Sequence, residues 1–369
     1  MVLRYDRFMP SITRRTWLEL LCLLCAASLR PVAAQKIVGG PYVVNDGQRS
    51  ATVMWVVETG QTLVGIAPDK LTKTLPLLSP EKIILSGLQP GKTFYYQAFP
   101  GESGKGSFKT APAGSAQFEF VLYGDTRTRH DAHRNMIEGI LKYAHPDFIV
   151  NTGDLVEDGS DSSQWPIFFE IERELLRKAA FFSAPGNHEH NAGAYYGFMN
   201  SKPYYSFDWG QAHFSMIDSD IANAGATDPE REAFWREQTH WLEDDLKNAQ
   251  NTAFRFVGAH HPPMTAVSRR QGQNAHMTGL ESMFEKYRVS AGLFGHDHNY
   301  QHYLLRGVHY FISGGGGAPL YDVDLPPAGI TQKVMSTENF VVVKVSGSQA
   351  SFEALKPNGE RIDEARIGQ

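Results

Sequence analysis

Apolar and polar residues alternate in two different rhythms along this chain, and the rhythm changes near residue 116. Between 36 and 110 the period is two. Ala51-Thr52-Val53-Met54-Trp55-Val56-Val57, Lys82-Ile83-Ile84-Leu85 and Thr93-Phe94-Tyr95-Tyr96-Gln97-Ala98 are β-branched or aromatic runs separated by Gly and Pro turns. Such runs predict strands, and the stretch is long enough for a small all-β sandwich domain. Ala111-Pro112-Ala113-Gly114-Ser115-Ala116 reads as a linker over 111–116. From 117 to 369 strand-length apolar runs alternate with helical patterns. The runs are Phe118–Tyr123, Asp147–Thr152, Ala179–Ala184, Phe254–Ala259 and Ser290–Phe294. The helical patterns are Met136/Ile140/Leu141, Phe168/Ile171/Leu175, Phe234/Leu242/Leu246 and Leu280/Phe284/Tyr287. This alternation predicts a layered α/β domain over 117–369.

Each of the five runs ends in a polar motif. They are Gly124-Asp125-Thr126-Arg127, Gly153-Asp154-Leu155, Gly186-Asn187-His188-Glu189, His260-His261-Pro262 and Gly295-His296-Asp297-His298. In an open α/β sheet the carboxyl ends of strands share the edge where ligands bind, so these side chains are expected to converge. Singly, each motif is commonplace: Gly-Asp after a strand is usually a turn, and Asn-His after glycine serves as a helix cap. The conjunction of all five in one domain is what points to chemistry. Asp125, Asp154, Asn187, His260, His296 and His298 offer carboxylates, an amide oxygen and imidazoles, without a thiolate. That mixed set suits Zn, Mn or Fe. Six ligands exceed what one catalytic ion takes, and they suit two ions sharing a carboxylate, the arrangement for displacement at phosphorus.

The first 34 residues read as an export signal. Arg4, Arg7, Arg14 and Arg15 precede an apolar stretch from Trp17 to Leu29, and Val32-Ala33-Ala34 ends it at a small-residue cleavage site before Gln35. The stretch is too short to span a bilayer. Thr13-Arg14-Arg15-Thr16-Trp17-Leu18 resembles a twin-arginine signal, which stands beside general secretion as the route. The expected location is the periplasm or the extracellular space. Both cysteines, Cys22 and Cys25, lie in this leader, which leaves neither a disulfide framework nor a thiolate site beyond it. The formal charge of −5 over 369 residues gives no general attraction for nucleic acid, and none is expected as a partner. No integral membrane segment is expected after signal cleavage.

The five motifs together resemble those of the calcineurin-type metallophosphoesterases. With a β region ahead of them, the chain is most similar to the purple acid phosphatase branch. Gly87-Leu88-Gln89-Pro90-Gly91-Lys92-Thr93-Phe94-Tyr95-Tyr96 resembles the turn and strand of a fibronectin type III module. Tyr204-Tyr205-Ser206-Phe207-Asp208 and Ile312-Ser313-Gly314-Gly315-Gly316-Gly317 look like bacterial members. The resemblance implies two mixed β-sheets sandwiched by helices, with metals at one edge, preceded by a fibronectin type III-like β-sandwich over 36–110.

It further implies two divalent metal ions (Zn, Mn, Fe or Ca), with Asp154 bridging them. Asp125 and His298 would bind the first ion, and Asn187, His260 and His296 would complete the second. His188 would meet the substrate phosphate and act as general acid, with Glu189 as its partner carboxylate. The chain departs from the pattern at the first ion. A usual ligand histidine is replaced by Arg127, and a tyrosine of the purple branch by Glu157. Glu157, His130 and His133 are candidate substitutes, and Arg127 is expected as a phosphate contact. Tyr123 is expected in the core or behind the ligands, so a colourless enzyme is anticipated. The implied function is an exported phosphatase or phosphodiesterase that uses metal-activated water on a small phosphorylated substrate. The alternative is a degenerate member that binds a surface or polysaccharide. Specificity is expected in the loops Asn191–Pro203, Ile221–Glu230 and Met264–Thr278.

Overall fold

The structure, a computed structural model, describes residues 36–368. The export signal over 1–34, with Cys22 and Cys25, lies outside the described residues. The first strands are β1 (Lys36–Val44), β2 (Ser50–Gly65), β3 (Leu71–Ser86), β4 (Thr93–Gln97) and β5 (Lys105–Lys109). Strands and helices then alternate through β6 (Phe118–Tyr123), α1 (His130–Tyr143), β7 (Phe148–Asn151), α2 (Trp165–Leu176), β8 (Ala180–Ser183) and α3 (Gly193–Met199). Next come β9 (Tyr205–Trp209), β10 (Ala212–Met216), α4 (Asp228–Asn248), β11 (Phe254–Gly258), α5 (Ala275–Thr278), α6 (Glu281–Lys286) and β12 (Ala291–Phe294). The chain ends with β13 (Tyr300–Leu305), β14 (Val308–Ser313), β15 (Thr331–Met335), β16 (Phe340–Ser346), β17 (Gln349–Leu355) and β18 (Arg361–Gly368).

The strands make two large sheets. One has nine strands in the order β18-β17-β16-β6-β7-β8-β1-β2-β3, and the other seven in the order β15-β13-β14-β12-β11-β10-β9. The centre of each is parallel: β6, β7, β8 and β1 in the first, β10, β11, β12 and β14 in the second. The sheets face each other across a core rich in phenylalanine. Phe182 stacks on Phe207 with centroids 3.7 Å apart, and Phe148 meets Trp209 at 4.4 Å and Phe214 at 5.4 Å. The outer face of the first sheet (Val121, Tyr123, Ile149, Phe181) packs on α1 and α2 through Met136, Ile140, Phe168 and Leu175. The outer face of the second (Ile217, Val257, Phe294, Ile312) packs on Leu242 and Leu246 of α4 and on Phe284 of α6. The result is helix, sheet, sheet, helix. It agrees with the two mixed sheets expected from the sequence, whose five strand runs fall within a residue of β6, β7, β8, β11 and β12.

The region 36–110 is all-β as expected, but it differs from a self-contained fibronectin-like sandwich. β1 lies inside the first sheet, beside β8, with Val43 opposite Ala180. β2 and β3 extend the same sheet, and only β4 and β5 form a separate two-stranded ribbon. The reason is in the side chains. Val43, Ala51 and Val53 point into the core between the sheets, while Tyr42, Val44, Met54 and Val56 point into the core under the helices. A strand apolar on both faces belongs inside a covered sheet, whereas a small sandwich leaves one face of each strand to water. The expected linker begins in this core: Ala111 is fully buried and its N–H donates to the Gly47 carbonyl at 3.1 Å.

Candidate metal centre

All five motifs lie at the carboxyl ends of central parallel strands, but on two sheets rather than one open edge. β6, β7 and β8 deliver Asp125, Asp154, Asn187 and His188. β11 and β12 deliver His260, His296 and His298 from the opposite sheet. At three of these positions the backbone turns off the strand in the left-handed region: Asp125 at φ 60°, Asp154 at φ 55° and His296 at φ 68°. Such values are uncommon for residues with a side chain and cluster where a site holds them. At Gly186 a methyl group would collide with a carboxylate oxygen of Asp154, and at Gly295 it would lie 2.5 Å from one of Asp125. These glycines leave the space the carboxylates occupy.

Asp125, Asp154, His260 and His298 are buried. Ligand atoms of Asp125, Asp154 and His260 lie within 4.8 Å of one another, as do those of His260, His261 and His296. His260 Nε2 is 3.1 Å from Asn187 Oδ1, 3.4 Å from Asp154 Oδ1 and 3.1 Å from His296 Nδ1. His298 Nε2 is 3.4 Å from Asp125 Oδ1. The structure therefore brings together all six expected ligands.

Backbone carbonyls decide what those atoms can do. His260 Nδ1 donates to Thr152 O at 2.7 Å, and His298 Nδ1 donates to Pro319 O at 2.7 Å. With that proton placed, a neutral ring presents a bare lone pair at Nε2. In both cases the lone pair faces carboxylate oxygen, and for His260 an amide oxygen too. Acceptors aimed at acceptors require a positive charge between them. Without metal the protein can supply only a proton. Burial lowers the pKa of His260, but Asp154 and Asp125 outweigh burial and raise it. His296 is held well below 6.5 by burial, by its neighbours His261 and His260 and by Arg270, so it is neutral and fit to ligate. The residues present fit a divalent-metal centre.

Three expectations are corrected here. Glu189 does not partner His188. It is buried, and it accepts from the backbone N–H groups of Asp154 (2.9 Å), Leu155 (2.7 Å) and Gly186 (2.6 Å). It thus ties two ligand-bearing loops together, and burial with the nearby Asp154 carboxylate pushes its pKa up to about 7. The partner of His188 is a carbonyl: Nδ1 donates to Glu157 O at 2.7 Å, and Nε2 sits 3.9 Å from Asp154 Oδ2. His133 does not reach the centre, because its Nε2 pairs with Glu172 at 2.8 Å beneath α1, while His130 is exposed at the start of that helix. The Glu157 carboxylate is engaged by Arg127, whose Nη1 donates to it at 2.5 Å while Nε donates to Asp154 Oδ2 at 3.2 Å. Tyr123 lies behind the ligands as expected, fully buried and donating to Glu172 at 2.8 Å.

Residues 118–300 match the family model described as calcineurin-like phosphoesterase, a span that holds all six expected ligands and His188. This span belongs to that family. The whole chain is 24% identical over 347 residues to human (Homo sapiens) acid phosphatase type 7, covering 76% of this chain and 75% of that protein. It is 24% identical over 261 residues to the mouse (Mus musculus) protein of the same name, covering 60% of this chain but only 56% of the relative. Its fold is that of a purple acid phosphatase from yellow lupin (Lupinus luteus) seeds, at a TM-score of 0.69 and 18% identity, over 89% of this chain and 74% of that one.

Sequence reasoning did not assign roles to three residues that pack against the ligands. His261 packs on His296 with ring centroids 4.1 Å apart, and its place beside His260 was the available signal. Tyr321 stacks on His298 at 4.1 Å, with no motif to mark it. Arg270 contacts His296 Nε2, donates to Tyr321 Oη at 3.1 Å, and lies in the loop Met264–Thr278 singled out for specificity.

Proposed function

We propose that the protein is an exported, metal-dependent phosphoester hydrolase acting on small phosphorylated molecules. The observation that carries this is the convergence of two oriented imidazole lone pairs on two buried carboxylates, at the shared edge of both sheets. Asp154 would bridge two divalent ions, Asp125 and His298 would hold the first, and Asn187, His260 and His296 the second. Bound ions of this kind supply Lewis acidity to phosphoryl oxygens and a nucleophile from water near neutral pH. The protein's own contribution is orientation and proton transfer. Asp154 Oδ1 accepts from the His188 backbone N–H at 3.0 Å, which fixes His188 beside the shared carboxylate. The Glu157 carbonyl holds Nδ1, so Nε2 is the nitrogen left to give a proton to the departing oxygen. Export rests on the sequence of the leader, and no described helix is long and apolar enough to cross a membrane.

Arg127 gives this centre its individuality. Its guanidinium takes the Asp154 oxygen not turned to His260, and it carries a fixed positive charge onto the first-ion side. There it can receive a phosphate oxygen, for which its planar fork is suited. The same ion pair makes the first site the weaker of the two. It also supports a second reading, a degenerate member that binds without turnover. Hydrolysis of an aryl phosphate by metal-loaded protein, compared with His188→Ala, separates them. A turnover rate lowered about a hundredfold or more in the variant supports the enzyme, whereas no turnover in either protein supports the binding reading. Arg127→His should raise the affinity of the weaker ion in a calorimetric titration; unchanged affinity would remove Arg127 from the account of that site.

A further inference from the structure

A cleft beside the centre holds about 550 Å³ and has two walls. One is the loop Ser219–Ala222 after β10. The other is the segment from Arg269 to His276, and His261 and His296 form the floor. Two of the three loops expected to carry specificity therefore meet over one ligand-bearing residue. Neighbouring arginines stand on the second wall. Arg270 is committed: it contacts His296, donates to Tyr321 Oη and lies 3.6 Å from Asp297. Arg269 differs. Among the described residues no carboxylate lies within ion-pair distance of its guanidinium, which rests on the face of Tyr321 at 4.3 Å from the ring centroid. Tyr321 in turn stacks on His298. A stacked guanidinium keeps its N–H donors, directed around its rim, for another acceptor.

The other polar groups of the cleft are largely occupied. His276 Nε2 donates to Ser219 O at 3.1 Å, Asn274 donates to Pro262 O at 3.0 Å, and Gln273 donates to Arg269 O at 2.8 Å. Burial lowers the pKa of His276, on the same wall as the arginines. Asp220, on the opposite wall, is the one carboxylate lining the cleft, and it is engaged by Asn223 at 2.7 Å. Among the lining residues two fixed cations face one hydrogen-bonded anion, next to a residue of the metal centre; behind them Asp297 is paired with Arg270, and Asp324, bonded to Ser268, is near enough to Arg269 to feel its charge.

We propose that this cleft is a second anion subsite, in which Arg269 with Arg270 recognises a second phosphate or carboxylate on the substrate. The inference rests on the phosphoesterase reading and narrows its substrate class to phosphoesters that carry another anionic group. Arg269 is the residue to test, because Arg270 touches His296 and its loss would disturb the centre directly.

The experiment compares three substrates on one scaffold: phenyl phosphate, 4-carboxyphenyl phosphate and 1,4-phenylene bisphosphate. Wild-type protein should show a KM about tenfold lower for one or both dianchored substrates than for phenyl phosphate. Whichever of the two is preferred identifies the second group as carboxylate or phosphate. In Arg269→Ala the KM ratio should collapse toward one, and Arg269→Lys should restore part of it. Equal KM values in the wild type, or a ratio that survives Arg269→Ala, would overturn the subsite while leaving the hydrolase intact. Calorimetry with imidodiphosphate against inorganic phosphate gives a readout without turnover. If imidodiphosphate binds about tenfold tighter and only while Arg269 is present, the subsite stands even in a protein that hydrolyses nothing.

Discussion

The two sheets bring opposite chemistry to the same edge by different means. The nine-stranded sheet supplies Asp125 and Asp154 from left-handed turns and Asn187 from a 3₁₀ turn, and Glu189 ties the Asp154 loop to the Asn187 loop. The seven-stranded sheet supplies three imidazoles, and two of the three are set by backbone carbonyls: His260 by Thr152 and His298 by Pro319. The anionic half is thus held by N–H groups donating to carboxylates, and the imidazole half by carbonyls accepting from rings. Thr152 directly follows β7 of the first sheet, so the orientation of His260 is fixed from across the interface. Neither sheet makes a site alone.

The harshest test of this division is to remove residues 36–110. β1 lies between β8 and β2, so a chain beginning near Ala116 would expose Phe169, Phe181 and Phe182 beside β8. It should lose its cooperative urea transition and aggregate. A soluble, metal-binding fragment would show that the anionic half stands without β1. Next in size is Asp154→Asn, which removes negative charge from between the two halves. Bound metal, read by elemental analysis, should fall by about one ion or more per chain, with activity near background; wild-type metal content would end the bridging assignment.

Gly186→Ala acts on the anionic half alone, by forcing a methyl group against Asp154. Metal affinity should drop roughly 10- to 100-fold with the fold retained, as measured by chelator competition and circular dichroism. His213, on β10 of the other sheet, gives a smaller and pH-dependent effect. Burial lowers its pKa, but Asp208 at 2.7 Å and Asp245 at 2.9 Å outweigh burial and raise it to about 9. Its contribution is full below pH 6.5 and is lost as pH rises through about 9. His213→Gln should therefore cost about 2 kcal/mol at pH 6 and little at pH 10 in chemical denaturation. The smallest change expected is spectroscopic. Tyr123 donates to Glu172, and Tyr321 accepts from Arg270, so iron loading under air should leave the protein without an intense visible band. A strong band would place a phenolate on the metal.

Much of the centre was legible because metal chemistry constrains residue type and strand ends constrain position. Asp125, Asp154, Asn187, His260, His296 and His298 each follow an apolar run that the structure makes a central strand. What the sequence hid depends on contacts distant along the chain. The alternation in Ala51–Val57 marks a strand but not its neighbour, because a pattern records which residues are apolar and not which sheet covers them. Glu189 stands beside His188 in sequence, yet the 3₁₀ turn of Asn187–Glu189 sends it back to the N–H groups of Asp154 and Leu155. Arg127 stands where a ligand is usual, but its pairing with Glu157 emerges only when the loops after β6 and β7 are laid side by side.

The position of β16 carries a consequence for how the molecule comes into being. It lies antiparallel to β6, with Val342 opposite Val121, and so flanks the strand that leads to Asp125. Such pairing gives the first sheet a high contact order, which slows folding. During synthesis the strand leading to Asp125 lacks one of its two neighbours until β16 has been made, after every helix and fifteen other strands among the described residues. Assembly of the complete ligand set therefore waits for a strand made after all six ligands, so the nascent protein contains every ligand residue before it contains the sheet that positions them.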